Sequence, residues 1–454
     1  MTQPGMPTTR NRTAIVIALL GGLLAFGLRW YYVIHAQVLQ PLDDVNVRAD
    51  AVEYYRYAWN MVHHATFSND VPGAPDVRAN SFRDPGYATL LAIWMKATSS
   101  YQAWYAAVLI TQVLLSSLTV TFLLLAVRHR FSTPTLATAA VLMAVWPHSV
   151  AMTSFVLSEN LFSFLCASLL LCLSGASRSP STSRYVAAGL IAGMAALTNA
   201  IMIPFGVVFA VAAQWRRFAT RRHAIAFAAA SLLLPALWGA RSVTLPTNAT
   251  SSQRAAMNLV QGSWPTYHAA YQLAMAGDED GTRTIEAMSA EIGAFQQSTG
   301  TGLAMMWARM STRPVTYLAW YVEKPTLLWA WDIQIGQGDI YVYPTRGSPF
   351  QSIPVWKAAE GVCYLANPIV LIFALIGTLE ALFRRNVGTA EFAMATMAIF
   401  VTIVYGVLQS EPRYSVPFRG IEIILACAGA TAISRWIRGH QRNRRQAAQG
   451  SVTP

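Results

Sequence analysis

Asp50 opens the stretch Asp50-Ala-Val-Glu53-Tyr54-Tyr55-Arg56-Tyr57-Ala58-Trp59, in which Asp50, Tyr54, Tyr57 and Met61 recur at helical spacing. One helix face then carries an acid at its N-terminal end with aromatics behind it, and an acid there suits the positive end of the helix. A carboxylate so placed can take the proton from a hydroxyl within hydrogen-bond reach; the plainer alternative is that it caps a surface helix. Asp84 stands nearby in Arg83-Asp84-Pro85-Gly86-Tyr87, and seven of the 21 acidic residues fall between Asp43 and Asp84. Glu159 lies in an apolar run near one end, where an acid is either functional or a hydrated helix-end group. Arg413 sits beside Glu411 and Tyr414. Its guanidinium fork suits a phosphate, whereas an exposed pair with Glu411 is worth about 0–1 kcal/mol. Arg241 and Arg83 are further candidate cations. His63 and His64 are adjacent and point apart on a helix, and His148 and His268 have no metal-ligand spacing. The four cysteines lie in apolar segments without a C-x-x-C, so neither a disulfide scaffold nor a zinc site is expected. The outer-segment aromatics Trp264, Tyr267, Trp320, Tyr321, Trp329 and Trp331 read first as an interface belt.

The elements that position these residues are membrane helices. The 454 residues are 54% hydrophobic and only 12% charged, against about a quarter charged in a soluble chain. The net charge of +12 is not a nucleic-acid signal, because arginine concentrates in short segments between apolar runs, as cytoplasmic loops do. Thr13 to Val33 is longer than the roughly 7–15 residues of a signal-peptide core and reads as the first span. Arg10 and Arg12 put its start in the cytoplasm and the acidic loop outside. Pro85 to Lys96 is too short to cross reliably and reads as interfacial. Tyr101 to Val127, Thr133 to Pro147 and Ser154 to Leu173 follow as spans. Tyr185 to Gln214 is long for one span, and a single crossing would leave Arg216, Arg217, Arg221 and Arg222 outside; two short helices breaking near Thr198-Asn199 keep them inside. Ala224 to Val243, Gly361 to Phe383, Phe392 to Leu408 and Ser415 to Ile433 complete the set.

The expected fold is therefore an all-α polytopic membrane protein of about 10 transmembrane helices. It forms one domain over 1–454, with an outer loop at 34–100, a large outer segment with an interfacial helix at 245–356, and a basic cytoplasmic tail at 435–454. The tail is most simply a positive-inside determinant, with anionic-lipid binding as a second possibility.

Four motifs in this order resemble the GT-C family of integral membrane glycosyltransferases, which includes the protein mannosyltransferases and the lipid A aminoarabinose transferases. They are Asp50-x-x-x-Tyr54 in the first outer loop, Arg83-Asp84-Pro85-Gly86-Tyr87, Ser158-Glu159-Asn160-Leu161, and Glu411-Pro412-Arg413-Tyr414-Ser415-Val416-Pro417. The chain departs from the family pattern at Asp84, where proline is common, and at Thr198-Asn199, where many relatives have Thr-Arg. The resemblance implies an inverting transfer of sugar from a polyprenyl-phosphate donor to an acceptor hydroxyl. The acceptor would be a glycan, a lipid or a protein, and the reaction would run on the outer face of a bacterial inner membrane with both termini cytoplasmic.

The implied catalytic acids are Asp50, favoured as base by the motif, and Asp84. The implied substrate-binding set is Glu53, Tyr54, Arg56, Tyr57, Arg83, Tyr87, Glu159, Arg241, Glu411, Arg413 and Tyr414. No cofactor is implied, and a divalent metal has no motif to hold it. A lipid-sugar flippase would place ionisable groups at mid-bilayer and interrupted helices in matched halves, of which only the Thr198-Asn199 break is present. A surface-polysaccharide polymerase or ligase is the nearer alternative, opposed mainly by the first-loop match.

Overall fold

The computed structural model describes residues 9–44, 49–245, 250–332, 343–384 and 386–450. Residues 1–8, 45–48, parts of the large outer segment at 246–249 and 333–342, residue 385 and the tail end at 451–454 lie outside the described residues.

Apolar runs in a bilayer satisfy their backbone groups internally, which makes them helices. The chain opens with α1 (Thr9–His35), then two short helices, α2 (Asp50–His63) and α3 (Pro85–Ala97). Next come α4 (Tyr101–Val127), α5 (Thr133–Val145), the short α6 (Pro147–Ala151) and α7 (Glu159–Arg178). The run from 182 to 215 is broken as the charge argument requires, into α8 (Thr182–Thr198) and α9 (Phe205–Trp215), with a 3-10 turn at Ala200–Met202 between them. After α10 (Arg221–Val243), the outer segment folds into α11 (Ser251–Gly262), α12 (Tyr267–Met275), α13 (Glu279–Gln297), α14 (Thr299–Ser311), α15 (Pro314–Leu328) and α16 (Pro349–Ser352). The chain closes with α17 (Pro354–Phe383), α18 (Thr389–Val407), a 3-10 stretch at Pro412–Phe418, and α19 (Arg419–Gly450). The protein is an integral, multi-pass, all-α membrane protein.

Among the described residues, seven helices are long and apolar enough to cross a bilayer, eight if the bent pair α5–α6 counts as one span. The shorter α8 and α9, of 17 and 11 residues, lie between these spans. Both ends of this bundle are identifiable from contacts. At one end the basic loops gather: Arg10 donates to the Phe131 carbonyl, Arg130 pairs with Glu391, and Arg216 donates to the carbonyls of Leu382 and Arg384. At the other end the first outer loop meets the starts of α4 and α7, the α8–α9 break and the α18–α19 turn. Arg216 reaching the end of α17 is what two short helices produce and a single span does not.

Small residues let the helices approach closely. A Cβ on Gly377 of α17 would lie 1.9 Å from the Leu425 carbonyl oxygen of α19. Leu19, Leu20 and Leu23 of α1 and Leu233 and Leu237 of α10 remain exposed, as lipid-facing positions do.

Two features missing from the sequence reading shape the site end. Arg29 of α1 is buried, and its guanidinium donates to the carbonyls of Met143 (3.2 Å) and Ala144 (3.1 Å) and to Ser116 Oγ (2.7 Å). Pro147 has no N–H to give to Met143, so Arg29 caps the carbonyls that the α5–α6 break leaves free. The pair bends by 53° there, which brings the chain round to Ser158-Glu159.

The second feature ties the outer segment down. Gly277 to Thr301, small and polar in sequence, is mostly helix α13, packed with α11 and α12 around Val260, Tyr267, Ala270 and Met288. A buried Arg309–Glu291 pair (2.6 Å) braces this small core. Below it, Lys324 of α15 is fully buried and donates to the carbonyls of Gly262 (2.8 Å) and Leu408, which are orphan acceptors at the ends of α11 and α18. His268 lies 3.1 Å from the Ser410 carbonyl oxygen through its Nε2. A two-residue antiparallel ladder, Gln37 opposite Arg346 and Val38 opposite Thr345, joins the exit of α1 to the end of the outer segment.

Candidate active site

Asp50 is the first residue of α2, preceded by an extended Ala49 that makes no side-chain cap. Its carboxylate does not cap the helix. Instead Arg83 Nη2 meets Oδ1 at 2.6 Å and Arg413 Nη2 meets Oδ2 at 2.5 Å. Arg83 also pairs with Glu53, one turn along α2. Arg413 Nε lies 3.5 Å from Glu159 Oε1, at the start of α7. One network thus joins three segments far apart in the chain. The surface pair of Arg413 with Glu411 is not formed, and Glu159 is not a hydrated helix-end acid: its side chain is 11% exposed.

Burial raises the Asp50 carboxyl, but Arg83 and Arg413 outweigh it and hold the group well below the usual carboxylate range. Asp50 nevertheless keeps 26% of its side-chain surface open, more than Arg83, Glu53, Arg413 or Glu159. It is the place where the network meets the outside. Burial pushes the Tyr54 hydroxyl up to about 12, so it stays neutral and donates to Ser158 Oγ at 3.4 Å. Tyr54 stacks edge-on against Tyr87, whose hydroxyl donates to Gln112.

The Arg83-to-Tyr87 motif has a local cause for each residue. Pro85 takes the first position of α3, where its missing N–H costs nothing. A Cβ on Gly86 would meet Thr198 Oγ1 at 2.5 Å and the Leu197 carbonyl oxygen at 2.9 Å, so only glycine lets α3 start against the end of α8. That contact sets Asp84 at the α8–α9 break, where its Oδ2 accepts from the Ala200 N–H (3.1 Å) and from Arg254 Nη2 (2.6 Å).

Arg254, on α11, was not legible. It supplies a cation at the break where Thr198-Asn199 has none, from a segment without a motif. Burial lowers its pKa, but Asp84 more than restores it. Asn199 in turn donates to the Tyr405 hydroxyl, and Tyr405 stacks on Tyr414, so the break and the late motif share one wall.

Three of the expected residues stand aside from this network. Arg241 donates to the Asn80 carbonyl and lies over Trp238. Tyr57 donates to Asn80 Oδ1 at 2.5 Å, and Arg56 donates to the Asp44 carbonyl. They hold the first loop in shape behind Asp50. Glu411 is buried at 2% exposure, and its Oε1 has no hydrogen-bond partner. Glu159 also lines a cavity of about 30 Å³ with Arg29, Ser116, Asn160 and Ser163, room for about one or two waters. Among the described residues, no group of three or more His, Cys, Asp or Glu is placed to hold a metal ion.

Residues 84–238 match the family described as dolichyl-phosphate-mannose-protein mannosyltransferase. Over that stretch the chain resembles the protein mannosyltransferases. The mannosyltransferase-like stretch is about a third of the chain; it holds Asp84, Glu159 and the Thr198-Asn199 break but neither Asp50 nor Arg413. No curated protein matches the chain. Among solved structures it is similar to the apo oligosaccharyltransferase of Archaeoglobus fulgidus, at 14% identity and a TM-score of 0.49 over 97% of this chain and 52% of that one. It is also similar to ArnT from Cupriavidus metallidurans bound to undecaprenyl phosphate, at 13% identity and a TM-score of 0.37 over 91% of this chain and 77% of that one. The chain thus spans about half the length of the oligosaccharyltransferase. Neither likeness is close enough to assign a residue or a reaction.

Proposed function

We propose that the protein transfers a sugar from a polyprenyl-phosphate donor to an acceptor hydroxyl, with inversion, at the outer face of a bacterial inner membrane. The observation that carries this reading is Asp50, held between Arg83 and Arg413 at 2.6 and 2.5 Å on the most open edge of a buried ionic network. Two guanidiniums on one carboxylate are two forks that a phosphate can also accept. As they stand they leave Asp50 a weak base. The donor phosphate competes for Arg413 and Arg83, and Asp50, released from them, takes the proton of the attacking hydroxyl. The same two arginines then face the charge that develops on the departing phosphate. Glu159 and Tyr54 hold the network's geometry, and Asp84 with Arg254 closes its far side. The match of residues 84–238 to the mannosyltransferase family supports the donor class.

General-base catalysis contributes about 10²–10⁴-fold. Asp50→Asn, in membranes supplied with native lipid donor and acceptor, is therefore expected to lower transfer by about that factor. Near-normal transfer by this variant rules the reading of Asp50 out.

A further inference from the structure

Glu411 is a buried carboxyl of the cluster to which the scheme above gives no role. It is 2% exposed and two residues before Arg413, and its Oε1 has no partner. Its backbone is fixed from two sides, by Lys324 on the Leu408 carbonyl and by His268 at the Ser410 carbonyl. The charged and titratable groups around it are Arg413, Tyr414, Asp50 and Glu159, with Tyr267 and His268 of α12 and Lys324 of α15 on the outer-segment side. Arg413 is already engaged by Asp50 and Glu159. A third anion beside one shared guanidinium is unfavourable, and an incoming phosphate makes a fourth.

Resting on the reading of Arg413 as a phosphate contact, we propose that Glu411 is the acid of the reaction, protonating the phosphate oxygen as it leaves the anomeric carbon. The acceptor oxygen forms the new bond to the anomeric carbon, and its proton passes to Asp50. The electron pair of the breaking carbon–oxygen bond goes to the phosphate oxygen, which takes the Glu411 proton. The polyprenyl phosphate therefore leaves singly rather than doubly charged. Asp50, 26% open, releases its proton to water, and Glu411 regains one from water once the product has left, so the cycle is balanced. Burial, with Asp50 and Glu159 adding to it against Arg413, pushes Glu411 up to about 7. A phosphate monoester has its second pKa near 6, so donor and acceptor of this proton are closely matched.

The test needs no knowledge of the sugar, because every such donor leaves the same product group. Farnesyl phosphate, a short polyprenyl phosphate, is titrated into the full-length protein in lipid nanodiscs. From about pH 7 to about pH 9 the free phosphate no longer titrates, and the expected weakening of about tenfold per pH unit reports the protein's proton. Glu411→Gln keeps a hydrogen-bond donor without a titrating proton. It is expected to bind as the parent does near pH 6 and to lose the slope above it, whereas Glu411→Asp keeps the slope. An unchanged slope in Glu411→Gln overturns the proposal and leaves the phosphate site standing. Failure of the unmodified protein to bind farnesyl phosphate at any pH overturns both.

Discussion

Arg413 decides more than any other single side chain, because its fork spans Asp50 on α2 and Glu159 on α7 at once. Lysine in its place keeps the charge but offers a point rather than a planar fork, and so loses one of the two contacts. A hydrogen bond from the guanidinium to the donor phosphate is worth about 1.5–3 kcal/mol, or about ten- to a hundred-fold in an equilibrium. Arg413→Lys is expected to raise the KM for the lipid donor by about that factor, with a smaller effect on the KM for the acceptor. An unchanged donor KM would remove Arg413 from the phosphate site. At this scale the sequence was informative wherever a residue broke its local rule: an arginine on an outer turn, an acid in an apolar run, an acid where proline is common. Arg254 broke no such rule, whereas Arg29, a charge inside the first apolar run, did. Arg254 sits in an ordinary amphipathic helix, and its role exists only because Gly86 lets α3 start against α8 and so puts Asp84 within reach.

Between elements, the contact that matters most is the buried ammonium of Lys324, which holds α11, α15 and the end of α18 together without a carboxylate. Burial lowers its pKa from the ordinary 10.5 to about 7. Above pH 7 the folded protein has shed this proton while the unfolded chain still binds it, until about 10.5. Stability therefore rises with pH across that window, and below it, with both states protonated, the group adds no slope. The rise is at most about 1.4 kcal/mol per pH unit. Thermal midpoints measured across this range are expected to climb more steeply for the unmodified protein than for Lys324→Met. Equal slopes would mean that Lys324 keeps its proton when folded. None of this was readable from Glu323-Lys324-Pro325, which looks like the polar edge of an interfacial helix. The partners are backbone carbonyls at two helix ends, and a sequence does not say which helix ends will meet. The α8–α9 break, by contrast, was readable, because the length of the apolar run and the position of four arginines leave one solution.

Across the whole molecule, charge is what separates the two ends. The loops carrying Arg10, Arg130, Arg216 and Arg384 touch one another, while Asp50, Glu159, Asp84 and Arg413 share the opposite end of helices such as α7, whose 20 residues run from Glu159 to Arg178. At about 1.5 Å per residue that helix covers roughly 30 Å, a bilayer core. Arg435 of α19 pairs with Glu380 near the end of α17, so the last helix returns to the end where the first began. The fold of the outer segment was the part least accessible from sequence, since its short helices bury a core of their own around Met288 and Val260 and carry no motif. By the positive-inside tendency we propose that the arginine end lies in the cytoplasm and the acid end outside, as the proposed outer-face reaction requires. Single cysteines test this on a background from which the four native ones are removed. Asp76→Cys in the first loop and Glu286→Cys in α13 are expected to react with a membrane-impermeant maleimide on intact cells; both native residues are exposed. Arg222→Cys, at the start of α10 and equally exposed, is expected to react only after the membrane is opened. The reverse pattern would put the ionic network on the cytoplasmic side. The donor would then be met before it is flipped, and the outer-face reaction proposed for Asp50 would fail with the orientation.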